Sequence, residues 1–269
     1  MFALFTFALI ISTITSCSDD TLQPGEKSAA EIIQGEVHYH DGRACSLDHH
    51  MEKLLSDPDY KAAHDKRIAS FNSLTESLNG EKALCGSPVV IPVAVHFQGN
   101  SSTDIACLTQ VVQEQMTVLN DDFHGTNGDI SNWTNNAQST FPGVNFGETC
   151  VEFVLANTNH PSGYGLADGD LAITVNSTSG DSDSNWSGYL NIFVNDADGN
   201  LGYSPLGGAG DGDGVVIARS AFGTGTSCGN VGANSPFDLG RTLTHEVGHY
   251  FLLDHIWGGG CNQDDGIAD

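Results

Sequence analysis

The chain has 269 residues, 39% of them hydrophobic, and 9 Lys or Arg stand against 34 Asp or Glu for a formal charge of −25. That composition is globular, fits one or two domains, and excludes a collagen or a coiled coil. So acidic a chain lacks the basic face on which phosphate binding and counterion release depend, which excludes a nucleic-acid partner.

Residues 1–82 carry seven of the nine basic residues and 13 acids, whereas residues 83–269 carry only Arg219 and Arg241 against 21 acids. The change near residue 82 separates an N-terminal region from one acidic domain, 83–269, of ordinary domain size. At the start, the apolar run FALFTFALIISTITS at 2–16 is shorter than the about 20 residues of a comfortable membrane span. It ends at Cys17, and Ile14-Thr15-Ser16-Cys17 resembles the bacterial lipobox, whose cysteine is lipidated and becomes the mature N-terminus. No Lys or Arg precedes the run, a departure from that pattern. The expectation is an exported protein. It is either a lipoprotein of the cell envelope, on the outer membrane or cell surface and touching the membrane only through its lipid, or a secreted one. Export permits disulfides, and Cys45, Cys85, Cys107, Cys150, Cys228 and Cys261 are enough for three, with pairing left open.

Residues 18–82 read as a tether followed by a helical segment. Leu47, Met51, Leu54 and Leu55, then Ile68, Phe71, Leu74 and Leu78, recur at helical spacing, and Pro58 divides them into two helices. VVIPVAVHF at 89–97 is a β-branched strand, in which Pro92 predicts an edge position or a strand start. Ile105, Leu108, Val111, Val112, Gln115, Met116 and Leu119 outline an amphipathic helix. CVEFVLA at 150–156, YLNIFVND at 189–196 and GVVIAR at 214–219 read as strands, with Ser-, Gly- and Asp-rich loops at 176–188 and 206–214. A last helix is predicted from near Ser235, with that serine as N-cap, Pro236 at the first helical position and Asp238 near the positive end of the dipole. The result is a mixed α/β domain.

The stretch THEVGHYFLLDH at 244–255 carries the chemistry. His245 and His249 are four residues apart, so on a helix both imidazoles leave one face and can grip one ion. Glu246 projects beside them, where a carboxylate activates water. His255, brought round by a tight turn after the helix, supplies a third nitrogen, and three ligands leave the fourth position of a zinc ion open, as catalysis requires. Read as mere helix-face histidines, the same residues leave the intervening glutamate unexplained.

The pattern H-E-x-x-H-x-x-G-x-x-H is that of the metzincins, and HEVGHYFLLDHIWGGGC resembles the pappalysin family of metallopeptidases in particular, as do YLNIFVND, LGYSPLGG, DGVVI, LGRTLTHEVGH and the trailing DGIAD. The resemblance covers roughly residues 85–269. It implies that His245, His249 and His255 bind zinc and that Glu246 is the general base and acid. It also implies a twisted, mostly parallel sheet with an antiparallel edge strand that aligns a peptide substrate, and helices behind it. Two departures stand out. The family's glycine falls at Leu252, where a left-handed backbone costs a non-glycine residue about 1–2 kcal/mol. The methionine of the family's Met-turn, expected downstream of His255, is absent, since the methionines are Met1, Met51 and Met116. The expectation is therefore a catalytic domain incomplete at Asp269, with the Met-turn, part of the specificity pocket and a partner for Cys261 beyond it.

Cys45, in GRACSLD ahead of the helical segment, is a candidate latency thiol, since sulfur on zinc excludes water. The segment to about Lys82 resembles the pro-segments of bacterial pappalysin relatives. An ordinary disulfide is the alternative. Asp264, Asp265 and Asp269 are candidate calcium ligands, in a loop that binds calcium in those relatives. GGAGDGDG at 207–214 and Asp196 to Asn200 are read as turns. His38, His40, His49, His50, His64, His96, His124 and His160 are read as surface residues. The functional expectation is an exported zinc endopeptidase acting on protein or peptide substrates and made as a zymogen, against a non-catalytic surface-binding protein that keeps the same scaffold.

Overall fold

The computed structural model describes residues 38–40, 43–45, 47–77, 87–143, 147 and 149–255. Cys17, Cys85, Cys261 and the candidate calcium ligands Asp264, Asp265 and Asp269 lie outside the described residues. The elements below all fall within the compact unit Glu36–Asp254.

In chain order they are β1 (His38–His40), β2 (Arg43–Cys45), α1 (Leu47–Leu55), α2 (Pro58–Ser77), β3 (Val89–Phe97), α3 (Ile105–His124), α4 (Ile130–Asn132), β4 (Val151–Leu155), β5 (Ile173–Thr174), β6 (Leu190–Asn195), β7 (Gly202–Tyr203), β8 (Gly214–Ala218) and α5 (Arg241–Tyr250). The sheet runs β1-β2-β7-β8-β6-β3-β4, with β5 also paired to β3. β8, β6, β3, β4 and β5 are parallel, whereas β7 lies antiparallel on β8, with Gly202 opposite Ile217. β2 adds to β7 in parallel, with Cys45 opposite Gly202. This is the mixed α/β sheet, mostly parallel with an antiparallel strand beside it, that the sequence predicts.

Strand periodicity places the core. Val93, Val95 and Phe97 of β3 are fully buried in one cluster with Ile192, Val194, Val215 and Ile217 from the neighbouring strands, Leu108, Val111, Val112 and Leu119 of α3, and Leu243 and Val247 of α5. Each such side chain contributes about 1.5–3 kcal/mol by leaving water. Ala94, the alternate residue, packs instead with Ala172 and Trp186. α3 begins at Asp104, whose side chain accepts from the Cys107 amide, and ends at Gly125 with φ +65°, a left-handed turn that glycine adopts without strain. The Cys107–Cys228 disulfide ties its first turn to the loop after β8, and Cys150 is also disulfide-bonded.

Two expectations are corrected here. β3 is interior, not an edge strand: Pro92 pairs with Val154 of β4, while pairing with β6 begins only at Val93 and Leu190. The Val93 carbonyl accepts from Ala156 on the β4 side and the Gln98 amide donates to Val194 on the β6 side, so even-numbered residues of β3 face β6. The missing N–H of Pro92 therefore points where no strand flanks it, and a proline costs no ladder bond there. Nor is His96 a surface residue. It is 1% exposed, with Nδ1 at 2.9 Å from Thr174 Oγ1 and Nε2 at 3.1 Å from Asn191 Oδ1. Its ring lies 5.0 Å from those of Trp186 and Phe193, and burial holds its pKa below the usual imidazole range.

Candidate active site

α5 starts later than expected. Ser235 does not cap it: the Phe237 amide closes a turn on Asn234, and the helix begins after Gly240, which stands at φ +73° and has no side chain to cap it. Contacts from α3 and the segment after it hold the start of the helix in place. Gln115, fully buried, donates Nε2 to the Gly240 carbonyl at 2.9 Å and accepts the Gly223 amide at 2.8 Å. Thr244 donates its hydroxyl to Asp122 at 2.7 Å. Arg241 pairs with Asp122 at 3.0 Å and Asp129 at 2.8 Å. Burial raises the Asp122 carboxyl above its ordinary range, against the opposing pull of Thr244 and Arg241.

With Leu243 and Val247 facing the core, helical spacing brings His245 and His249 together, and their Nε2 atoms lie 3.0 Å apart. His249 Nδ1 lies 2.7 Å from the Leu253 carbonyl. A carbonyl can only accept, so Nδ1 carries the proton and Nε2 keeps its lone pair toward His245. Glu246 is 1% exposed and His249 2%. A Cβ on Gly202 of β7 would stand 2.9 Å from Glu246 Cγ, so the carboxylate stem lies along the antiparallel strand.

The helix ends in a turn that reverses the chain. The Leu253 amide donates to Gly248 and the Leu252 amide to His249, at 3.0 and 2.9 Å, the two bonds of a Schellman motif. Leu252 occupies its left-handed position at φ +70°, as the motif spacing requires of the residue standing for the glycine. The ligand nitrogens of His245, His249 and His255 all lie within 4.8 Å of one another. Nitrogens each about 2.0–2.1 Å from one tetrahedral zinc stand about 3.3 Å apart, so an all-imidazole set of this spacing fits that ion.

The loop after β7 is tied to the same helix. Gly207 donates its amide to the His249 carbonyl at 3.0 Å, and Tyr250 donates its hydroxyl to Asp213 at 2.9 Å. Burial lifts both the Asp213 carboxyl and the Tyr250 phenol. Sequence reasoning missed this tie, the two-residue strand β7 and the close approach of Gly202 to Glu246. The sequence sets Gln115 among the core positions of α3, but its bonds to the start of α5 and to Gly223 were not foreseen.

No protein-family model matches the sequence. An extracellular metalloprotease of Colletotrichum graminicola is 28% identical over 218 residues, covering 76% of this chain and 64% of that protein. The chain thus spans just under two thirds of that relative. Among solved structures, a promirolysin variant from Tannerella forsythia superposes with a TM-score of 0.57 at 33% identity, covering 84% of this chain and 75% of that one. The chain belongs to the mirolysin family of metalloproteases. Mature mirolysin of the same organism, in complex with a cleaved peptide, is 37% identical with a TM-score of 0.50, covering 68% of this chain and 72% of the other.

Proposed function

We propose that the protein is an exported, pappalysin-type zinc endopeptidase whose zinc is held by His245, His249 and His255 and whose general base and acid is Glu246. The carrying observation is two imidazole nitrogens 3.0 Å apart on one helix face, a third within 4.8 Å, and a buried carboxylate on the residue between them. Zinc, when bound, supplies a Lewis acid that polarises a peptide carbonyl and makes water acidic enough to attack near neutral pH. Glu246 takes the proton from the attacking water and passes it to the leaving amine, and its burial against β7 keeps the carboxylate beside the imidazoles. The side of β7 that β2 occupies in this structure aligns the peptide by main-chain hydrogen bonds once the N-terminal segment is removed. The cleaved peptide bound to mirolysin supports a peptide substrate.

The test is Glu246→Ala in the complete protein. Zinc content should stay stoichiometric while peptide cleavage falls about 100- to 10,000-fold, and turnover equal to the parent would overturn the assignment of the base.

In the same reading, residues 18–82 are a pro-segment ahead of a catalytic domain at 83–269, and Cys45 holds the enzyme latent through its thiol. Cys45 pairs by its backbone with Gly202, the residue against which Glu246 lies. The helices after it are seated on the loop after β7: Met51 Sδ accepts from the Leu206 amide at 3.2 Å, and Arg67 donates to the Gly208 carbonyl at 2.7 Å. Cys45→Ala should raise cleavage by the unprocessed form, and unchanged latency would favour a disulfide role for this cysteine. A lipid on Cys17 and calcium on Asp264, Asp265 and Asp269 complete the proposal. Mass spectrometry of the mature N-terminus tests the first and calcium-dependent melting the second.

A further inference from the structure

Gly202 differs from most glycines of the chain. It is absent from the residues with positive φ and lies in β7, in extended backbone that any residue adopts. Contact therefore excludes a side chain there, not conformation. A Cβ at this position would meet Glu246 Cγ and the Val216 carbonyl oxygen at 2.9 Å and Ile217 Cδ1 at 3.1 Å, all inside ordinary van der Waals separation. The Glu246 side chain has three rotatable bonds and, at 1% exposure, no solvent to swing into.

We propose that Gly202 is a positioning residue: its missing side chain forms the slot on β7 that confines the Glu246 stem and so aims the carboxylate at the site beside His245 and His249. The proposal deepens the reading of Glu246 as general base and rests on it for its consequence in turnover. Its geometric content stands separately. A methyl on residue 202 displaces Glu246 without touching an imidazole, so the loss falls on the proton-transfer step and not on the metal.

The experiment compares Gly202→Ala, Glu246→Ala and the double variant in the complete protein. Gly202→Ala should keep its zinc and lose about 10- to 100-fold in kcat, the scale of a misplacement near 1 Å, with KM within about threefold. Unchanged kcat would overturn the proposal, as would a rise in KM at constant kcat, which would assign Gly202 to substrate alignment instead. Thermal unfolding gives a readout independent of turnover. The methyl should lower Tm by several degrees in the parent and by clearly less in the Glu246→Ala background, where Cγ is gone. An equal loss in both would place the clash on the Val216 carbonyl or Ile217 and sink the idea. If Gly202→Ala fails to fold, recovery of folding in the double variant supports the slot, and failure of both overturns it. This cycle reads packing whether or not Glu246 is the base; an error in that assignment shows instead as cleavage by Glu246→Ala.

Discussion

Leu252 sets backbone strain against packing, and the two can be measured separately. Its φ of +70° costs about 1–2 kcal/mol for a residue with a Cβ. Glycine removes that cost but adds about 0.5–1 kcal/mol of freedom to the unfolded chain. It also gives up the packing of the leucine, which reaches the space beside Gly207 that Ile68 of α2 shares. The side chain is half-buried, so that packing is worth about 1 kcal/mol, roughly half of full burial. The three contributions nearly cancel, and Leu252→Gly should lie within about 1 kcal/mol of the parent. Leu252→Ala keeps the strain and loses the packing. It should fall about 1 kcal/mol below the parent, or about 2–4 °C in Tm for a domain of this size, and below the glycine variant as well. Urea and thermal unfolding of the three proteins measure the order. An alanine variant more stable than the glycine one would refute the claim that the turn is strained.

Two further outcomes follow from features remote from that turn. The Cys107–Cys228 bridge spans a sequence separation of 121, and closing so long a loop restricts the unfolded chain by about 4–5 kcal/mol. Replacing both cysteines by alanine should lower the urea midpoint accordingly, and an unchanged midpoint would show that the unfolded chain is already compact. His96 is held neutral by burial, which lowers its pKa from 6.5, with Asn191 and Asp183 pulling the other way. A histidine whose folded pKa is depressed contributes stability that is present above about pH 6.5 and lost as pH falls toward the folded value. Tm should therefore decline between pH 7 and pH 5, and His96→Gln should melt lower overall but with a shallower decline. An identical slope in that variant would assign the acid sensitivity to other groups, His50 first, whose pKa burial also lowers.

What the sequence disclosed follows the range over which each signal acts. Strands β3, β4, β6 and β8 and helix α3 show because each is long enough for a β-branched run or an apolar stripe. Pro58 marks the junction of α1 and α2 because a local steric rule acts within one residue. The spacing of His245 and His249 is a property of a single helix, so their approach is readable without a fold. β5 and β7, two residues each, carry no period at all. The misplaced start of α5 has the same cause from the opposite side. Ser235 and Pro236 form a sound local signal, but Gln115, Asp122 and Asp129 hold the helix start from more than a hundred residues away, and contacts across such a distance leave no trace in a local pattern. His96 was misjudged because its environment is assembled from Thr174, Asn191 and Trp186, none of them its neighbours in sequence.

The buried amide of Gln115 has a consequence for how the site is assembled. Because one side chain grips both the Gly223 amide and the Gly240 carbonyl inside a dry core, α5 cannot slide along its axis without stranding a polar group, a loss of about 1–3 kcal/mol. The place of α5 against the sheet, and with it that of His245 and His249, is thus set when the polypeptide collapses, so that in the proposed zinc site two of the three nitrogens stand in position before the ion arrives. Chelation should then strip the ion and leave the scaffold standing, in contrast to small zinc-nucleated domains that come apart with their metal.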